Sequence, residues 1–150
     1  MDFALTPAQT DLVRDATLLA RRFPLAYWRE KDRAEAYPAE FVEAFAAAGW
    51  LGAIIPQGYG GRGWGVTEAA LLLGAICASG AGTSGASPIH LAIFPPYPII
   101  RHGSAELKAR ALPGLATGAL RMAFGVTESE AGTDTSRIAA RAERRGDRWV

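Results

Sequence analysis

Cysteine and histidine are nearly missing from this sequence: Cys77 is the single cysteine, and His90 and His102 are the two histidines. A lone thiol excludes an intrachain disulfide and gives no sign of an oxidising compartment, so a cytoplasmic setting is expected. The three soft ligands share no spacing that would close a tetrahedral metal site, so no metal is expected either. An excess of one charge is also missing. Sixteen basic and fifteen acidic side chains leave a formal net charge of +1, which offers no footprint for a nucleic acid. Residues 1–14 lack the basic-then-apolar layout of a signal peptide. There is no Gly-x-Ser-x-Gly elbow for a serine hydrolase.

Charge is absent altogether from residues 69–100, a length that raises the question of a membrane span. Ser79, Gly80, Gly82, Thr83, Ser84 and Gly85 divide the run. The apolar part before them, residues 69–78, is too short to cross a bilayer, so a buried helix and no span are expected. A hydrophobic content of 49% with 21% charged residues is that of a folded chain rather than a disordered one.

What is present reads mostly as helix. Thr6, Pro7 and Gln9 give a cap, a proline at the first helical position and a capping-box partner. Leu12, Val13, Ala16, Leu19, Ala20 and Phe23 then recur on one face until Pro24. The charge-dense stretch 26–36 is expected to connect at the surface, with Trp28 as an exposed anchor. A second helix runs from Pro38 through Phe41, Val42 and Phe45 to Gly49, a suitable C-terminal glycine. Thr67 is placed to cap a third, buried helix over 68–78. Ser87-Pro88 opens a fourth, which Pro95, Pro96 and Pro98 interrupt. Ser104 caps a short helix over 105–112, closed by Pro113-Gly114.

The character changes after Gly118. Residues 120–126 read as a buried strand, 127–136 as a polar loop, and 138–144 with 148–150 as a strand, a turn and the start of a return strand. The expected fold is therefore mainly α: a helical domain over 1–118, then the first strands of a β domain over 119–150. A two-stranded ribbon is rarely stable alone, so the chain reads as a fragment, its β part cut short.

Two motifs carry chemical meaning. Gly58, Gly60 and Gly63 match the Gly-x-Gly-x-x-Gly dinucleotide spacing, but Pro56 precedes the match and no acidic residue lies between Glu68 and Glu106 to hold a ribose. A tight loop that lets helices pack closely is the better reading. The second motif is Phe124-Gly125-Val126-Thr127-Glu128-Ser129-Glu130-Ala131-Gly132-Thr133-Asp134. There an apolar strand runs into a loop of hydroxyls, carboxylates and small residues, able to offer backbone N–H groups and the Thr127 and Thr133 hydroxyls to a polar ring edge or a phosphate. His90 lies on an apolar helix face, either as a hydrogen-bonded core histidine or as the lining of a pocket.

This second motif resembles the acyl-CoA dehydrogenase signature: an apolar strand, Thr-Glu, two variable residues, Ala-Gly, a hydroxyl residue and Asp. Ile55-Pro56 with Tyr59-Gly60-Gly61 and Gly65 resembles the family's loop before its third main helix. Pro98-Ile99-Ile100-Arg101-His102-Gly103-Ser104 with Leu112-Pro113-Gly114 resembles its link into the β domain. The likeness is colinear over essentially the whole chain.

The resemblance implies an FAD enzyme that removes the α-proton and β-hydride of an acyl-CoA thioester, the hydride passing to flavin N5 and onward to an acceptor such as an electron-transfer flavoprotein. It implies that Phe124, Gly125, Val126, Thr127, Gly132 and Thr133 lie along the FAD, with Thr133 also near the acyl-CoA. Ser87, His90 and Phe94 would line the acyl pocket. The catalytic base belongs to a C-terminal helical domain in the family, so none is assigned here, and these 150 residues alone are expected to hold FAD poorly and not to turn over. The full-length form is expected to be a homo-oligomer. Three departures stand out. Ser129 and Glu130 replace the usual Pro-Gly, Thr133 replaces the commoner Ser, and Pro95-Pro96 interrupts a helix usually intact, implying a reshaped or shortened pocket. A flavin oxidase or monooxygenase on the same scaffold, or a non-catalytic helical interaction domain, remain as alternatives.

Overall fold

The computed structural model of the chain describes residues 4–150. Met1, Asp2 and Phe3, which open the stretch read for a signal peptide, lie outside the described residues. The helices run in the order α1 (Pro7–Ala20), α2 (Leu25–Arg33), α3 (Ala39–Ala47), α4 (Val66–Ile76), α5 (Gly82–Ile93), α6 (Tyr97–His102) and α7 (Ala105–Thr117). Two short strands follow, β1 (Arg144–Arg145) and β2 (Arg148–Trp149).

α1 starts as its sequence dictates: Thr6 Oγ1 accepts the Gln9 N–H at 3.2 Å and Gln9 Oε1 accepts the Thr6 N–H at 3.0 Å. The Gln9 amide then donates to Glu68 Oε1 at 2.9 Å, while Glu68 Oε2 accepts the Gly65 N–H at 3.1 Å. One carboxylate thus ties the first turn of α1 to the first turn of α4, and those hydrogen bonds, the one from Gln9 foremost, hold Glu68 below the usual carboxylate range. Glu68 does the capping expected of Thr67, which lies inside α4.

The stretch 26–36 is a correction. It forms α2 instead of a surface connection, and Trp28 is only 7% exposed, its indole N–H donating to the Phe23 carbonyl at 3.0 Å. Arg29, Glu30, Asp32 and Arg33 of α2 are exposed, while Trp28 is buried and Tyr27 packs against the core beside it. Trp28 packs edge-on to Phe41 at 4.9 Å, within a row of rings running through Phe45 and Trp50 to Trp64.

Arg62, from the glycine-rich loop, closes the far end of α3. Its guanidinium donates to the carbonyls of Ala48 at 2.6 Å and Gly49 at 3.1 Å and lies 4.9 Å over the Trp64 ring. Those carbonyls belong to the end of a helix, where a cation is favourable. The loop itself folds back on residues 52–55: the Arg62, Gly63 and Trp64 amides donate to Gly52, Ile55 and Ala53. A Cβ at Gly61 would stand 2.0 Å from the Ile55 carbonyl oxygen. Close packing thus falls on Gly61, whereas Gly60 (φ 83) and Gly63 (φ 65) supply left-handed turns and a Cβ at Gly58 would meet nothing within 4 Å; among the described residues no strand precedes the loop.

Val66–His102 passes for a membrane span by length and composition. It is not one helix. Gly80 (φ 102) and Gly82 (φ 55) break it after α4, whose 11 residues are about half of the ~20 a span requires. Ala69, Leu72, Ala75 and Ile76 of α4 bury against the rest of the bundle instead.

Four elements differ from expectation, each at a proline or a missing partner. α5 begins at Gly82, with Pro88 inside it. α7 continues through Pro113 and Gly114 to a left-handed cap at Gly118 (φ 78), because burying Leu115 and Ala116 outweighs the one amide bond that Pro113 lacks. Residues 120–126 form no strand: the Leu120 amide turns back to the Gly114 carbonyl, the amides from Met122 to Val126 have no partner among the described residues, and Leu120 and Phe124 are exposed. The ribbon expected from 138 onward shrinks to Arg144 opposite Trp149 and Arg145 opposite Arg148. A strand needs a ladder, and none is offered to these residues. The fold is mainly α with a short ribbon after it.

Candidate functional site

α5 has two faces. Ala86, Ile89 and Ile93 are buried in the main core, while Ser87, His90, Leu91 and Phe94, spaced i, i+3, i+4 and i+7, are exposed together. The His90 and Phe94 rings lie parallel, 5.5 Å apart at 9°. His90 is therefore a surface residue of a ring pair, not a core histidine, and it is not among the residues that line the cavity described below.

The Phe94 ring also receives the edge of Phe124, at 4.8 Å and 75°. This contact brings the α5 face and the segment 120–127 together. Met122 packs against Ile55, Leu112 and Leu115, and the Arg121 guanidinium lies 5.0 Å over the Tyr37 ring. Among the described residues, the backbone N–H groups from Met122 to Thr127 make no hydrogen bond within the chain, and neither do the Thr127 and Thr133 hydroxyls. A largely exposed row of backbone donors and acceptors ending in a hydroxyl can serve a polar ring edge or a phosphate.

The loop beyond is closed by Glu128. Its backbone exchanges hydrogen bonds with Ala131 at 3.1 and 3.2 Å, and its carboxylate accepts the Ala139 and Ala140 N–H groups at 2.9 and 3.0 Å. Ala131 is fully buried beneath this turn, while Gly132 and Thr133 are exposed beyond it. Glu130 reaches only a 3.9 Å contact with Arg137 at the surface. Ser87, His90, Phe94 and Phe124 are thus gathered at one place. Gly125, Val126 and Thr127 continue from it, and no ring or hydrogen-bond contact links Thr133 to the α5 face among the described residues.

A cavity of about 560 Å³ opens on the same side of the bundle, lined by Tyr37, Val42, Leu51, Leu91, Leu120 and Arg121 among others. Sequence reasoning missed it and missed the pairing of Arg121 with Tyr37. Both join segments far apart in the chain, and no local signal marks either. The large electrostatic perturbations lie elsewhere. Lys31 and Tyr27 both bond Glu40, whose carboxyl is held down at about 2, first by the Lys31 bond. Burial, then the Glu40 carboxylate, pushes the Tyr27 hydroxyl up to about 12.

Comparison with known proteins agrees with this geometry. The profile of the acyl-CoA dehydrogenase N-terminal domain matches residues 6–119. The chain belongs to the acyl-CoA dehydrogenase family. Acyl-CoA dehydrogenase FadE12 of Mycobacterium tuberculosis is 33% identical over 128 residues, covering 83% of this family member and 31% of FadE12. The 3-sulfinopropanoyl-CoA desulfinase of Paraburkholderia xenovorans is 33% identical over 150 residues, 98% of this chain and 37% of that protein. Among solved structures, PigA with FAD and proline superposes with a TM-score of 0.89 at 25% identity, over 100% of this chain and 39% of PigA. The chain spans 31% and 37% of the length of the two curated relatives.

Proposed function

We propose that this acyl-CoA dehydrogenase family chain supplies the helical body and the flavin-lining segment of an FAD-dependent enzyme that dehydrogenates acyl-CoA thioesters between the α- and β-carbons. The observation that carries the reading is the meeting of Phe94, on the outward face of α5, with Phe124, at the head of the Thr-Glu segment. It sets a ring-lined apolar face beside the exposed backbone edge of that segment. Membership of the family supports the reaction class, and the likeness to PigA, solved with FAD, supports the cofactor.

In this reading Phe124, Gly125, Val126 and Thr127 hold the flavin edge through backbone groups and the Thr127 hydroxyl. Gly132 leaves room for the cofactor, and the Thr133 hydroxyl faces phosphate and acyl-CoA. Ser87, His90 and Phe94 support the acyl group. FAD, when bound, supplies the acceptor for the β-hydride. Glu128 is not the base: its two carboxylate oxygens are already engaged by the Ala139 and Ala140 amides. The boundary between helical and β parts falls at 118/119, supported by the left-handed Gly118 that ends α7. A cytoplasmic homo-oligomer that passes electrons to an electron-transfer flavoprotein completes the proposal.

The likeness to PigA, whose structure holds FAD and proline, favours one second reading: flavin oxidation on the same scaffold with a different substrate. The test is to produce the full-length protein, load FAD, and add saturated acyl-CoA thioesters anaerobically. Bleaching of the flavin band by one thioester class is expected. A bound flavin that no thioester reduces would transfer the reading to the oxidase, and a protein that takes up no flavin would end both.

A further inference from the structure

The segment 120–127 joins the helical body by one backbone bond, from the Leu120 amide to the Gly114 carbonyl at 2.9 Å, so beyond Leu120 side chains must hold it. Its amides from Met122 to Thr127 have no partner within the chain among the described residues. What fixes it is the Arg121 guanidinium on Tyr37, Met122 in the small core around Leu112, and the Phe124 ring on Phe94. Only the last of these lies next to Gly125, Val126 and Thr127.

Phe94 is suited to be a fixed point. It follows the last turn of α5, its amide donating to the His90 carbonyl at 2.9 Å. Pro95 and Pro96, both fully buried, anchor the chain immediately after it. The His90 ring lies flat along one side of the Phe94 ring. Yet Phe94 is 46% exposed and belongs to neither apolar core, so its ring contributes little to the stability of the bundle.

From this we infer that Phe94 is the positioning residue of the flavin-lining segment: its ring, braced by His90, holds Phe124 and thereby sets where the backbone of Gly125 to Thr127 stands. The assignment of that segment to FAD rests on the function proposed above; the ring contact does not. The same contact explains the interruption by Pro95-Pro96. The two buried prolines end α5 just past Phe94 and fix the direction in which its ring projects.

Three variants of the isotope-labelled chain test it: Phe94→Ala, Phe94→Tyr, and Tyr97→Ala as an exposed neighbour without a ring contact to Phe124. Circular dichroism is expected to show the same helix content in all three. Heteronuclear NOE values at Gly125 and Thr127 should fall in Phe94→Ala, and the Phe124 ring protons should move to unstructured shifts. Phe94→Tyr and Tyr97→Ala should leave both unchanged.

Titration with FAD, followed by flavin fluorescence, gives a second readout besides turnover, and a weak wild-type affinity still yields a ratio. Loss of one aromatic pair corresponds to about 2- to 12-fold weaker binding in Phe94→Ala, from ~0.5–1.5 kcal/mol at 1.4 kcal/mol per decade. The double variant with Phe124→Ala should be no weaker than either single one. Unchanged NOE values in Phe94→Ala, or additive losses in the double variant, would overturn the inference. A full-length wild-type protein that takes up no FAD would remove the flavin assignment alone, and the NOE values would still decide the anchoring.

Discussion

The helical body and the segment after Gly118 are built on opposite principles. From α1 to α7 the chain buries Phe41, Phe45, Leu72, Ile76, Ile89 and Leu112 completely, and its helix ends are closed by Thr6, Glu68, Arg62 and Ser104. Beyond Gly118, Ala131 is the one fully buried hydrophobic residue among those described, and the ladder is two residues long. Order in the body comes from excluded water and satisfied helix termini. Order in the tail comes from single contacts: one ring on Phe94, one carboxylate on two amides. In this family member the part proposed to meet the cofactor is the part with the least stability of its own, as expected of a surface completed by what binds it.

The largest effect expected separates the two regions directly. Phe41 is fully buried and touches the rings of Phe23, Trp28 and Phe45. Phe41→Ala should cost about 3–5 kcal/mol in denaturant unfolding followed by far-UV circular dichroism. Trp149→Ala, at 69% exposure in β2, should stay within about 0.5 kcal/mol. Comparable losses would mean that the tail belongs to the same cooperative unit as the body.

Gly61→Ala comes next. The added methyl would stand 2.0 Å from the Ile55 carbonyl oxygen and 2.6 Å from the Ile55 Cβ, so the loop must move off residues 52–55. That displaces Arg62 from the end of α3. A loss of about 1–3 kcal/mol is expected in the same unfolding measurement. Gly58→Ala, where a Cβ meets nothing within 4 Å, is the matched control and should be near neutral.

The sequence disclosed these regions unequally, for physical reasons. α1 and α3 were readable because their signals are local: a Thr-Pro-x-Gln start, a Pro38 entry, Gly49 at φ 73. α2 was not, because its charges outnumber its apolar residues and hide the single inward face at Trp28. Pro88 and Pro113 were read as helix boundaries because proline usually is one, yet tertiary burial on both sides carries the helices through them. The segment proposed to line the flavin was visible as a run of residue types. Its contact with Phe94 was not, since nothing in local sequence reports which distant side chain a ring will meet.

Glu128 tests whether the tail's loop stands apart from the body. Glu128→Ala removes the acceptor of the Ala139 and Ala140 amides, both in an exposed loop. Faster exchange of those two amides is expected, with the unfolding midpoint of the helical body unmoved. Glu130→Ala loses only a 3.9 Å surface contact and should leave both amides as they are. A lower midpoint in Glu128→Ala would show that the turn around Ala131 supports the bundle and is not merely laid upon it.

The smallest effect concerns pH and belongs to the body alone. Glu40 has a folded pKa of about 2 against a reference of 4.5, because Lys31, its own backbone and Tyr27 bond its charged form. A depressed carboxylate contributes stability that is present above the unfolded value and is lost as pH falls toward the folded one. The loss should therefore fall between about pH 4.5 and pH 2. Tyr27 has the opposite sense. Raised from 10.0 to about 12, it contributes stability that is present below pH 10 and lost on the way to pH 12. The Glu40 carboxylate is well exposed, so solvent screening keeps the acid effect small. Glu40→Gln should flatten the dependence of the melting temperature on pH at both ends, since it removes the titrating acid and the charge that opposes tyrosinate formation. A variant at Glu40 that kept its acid limb would place the titration on another carboxylate of the body.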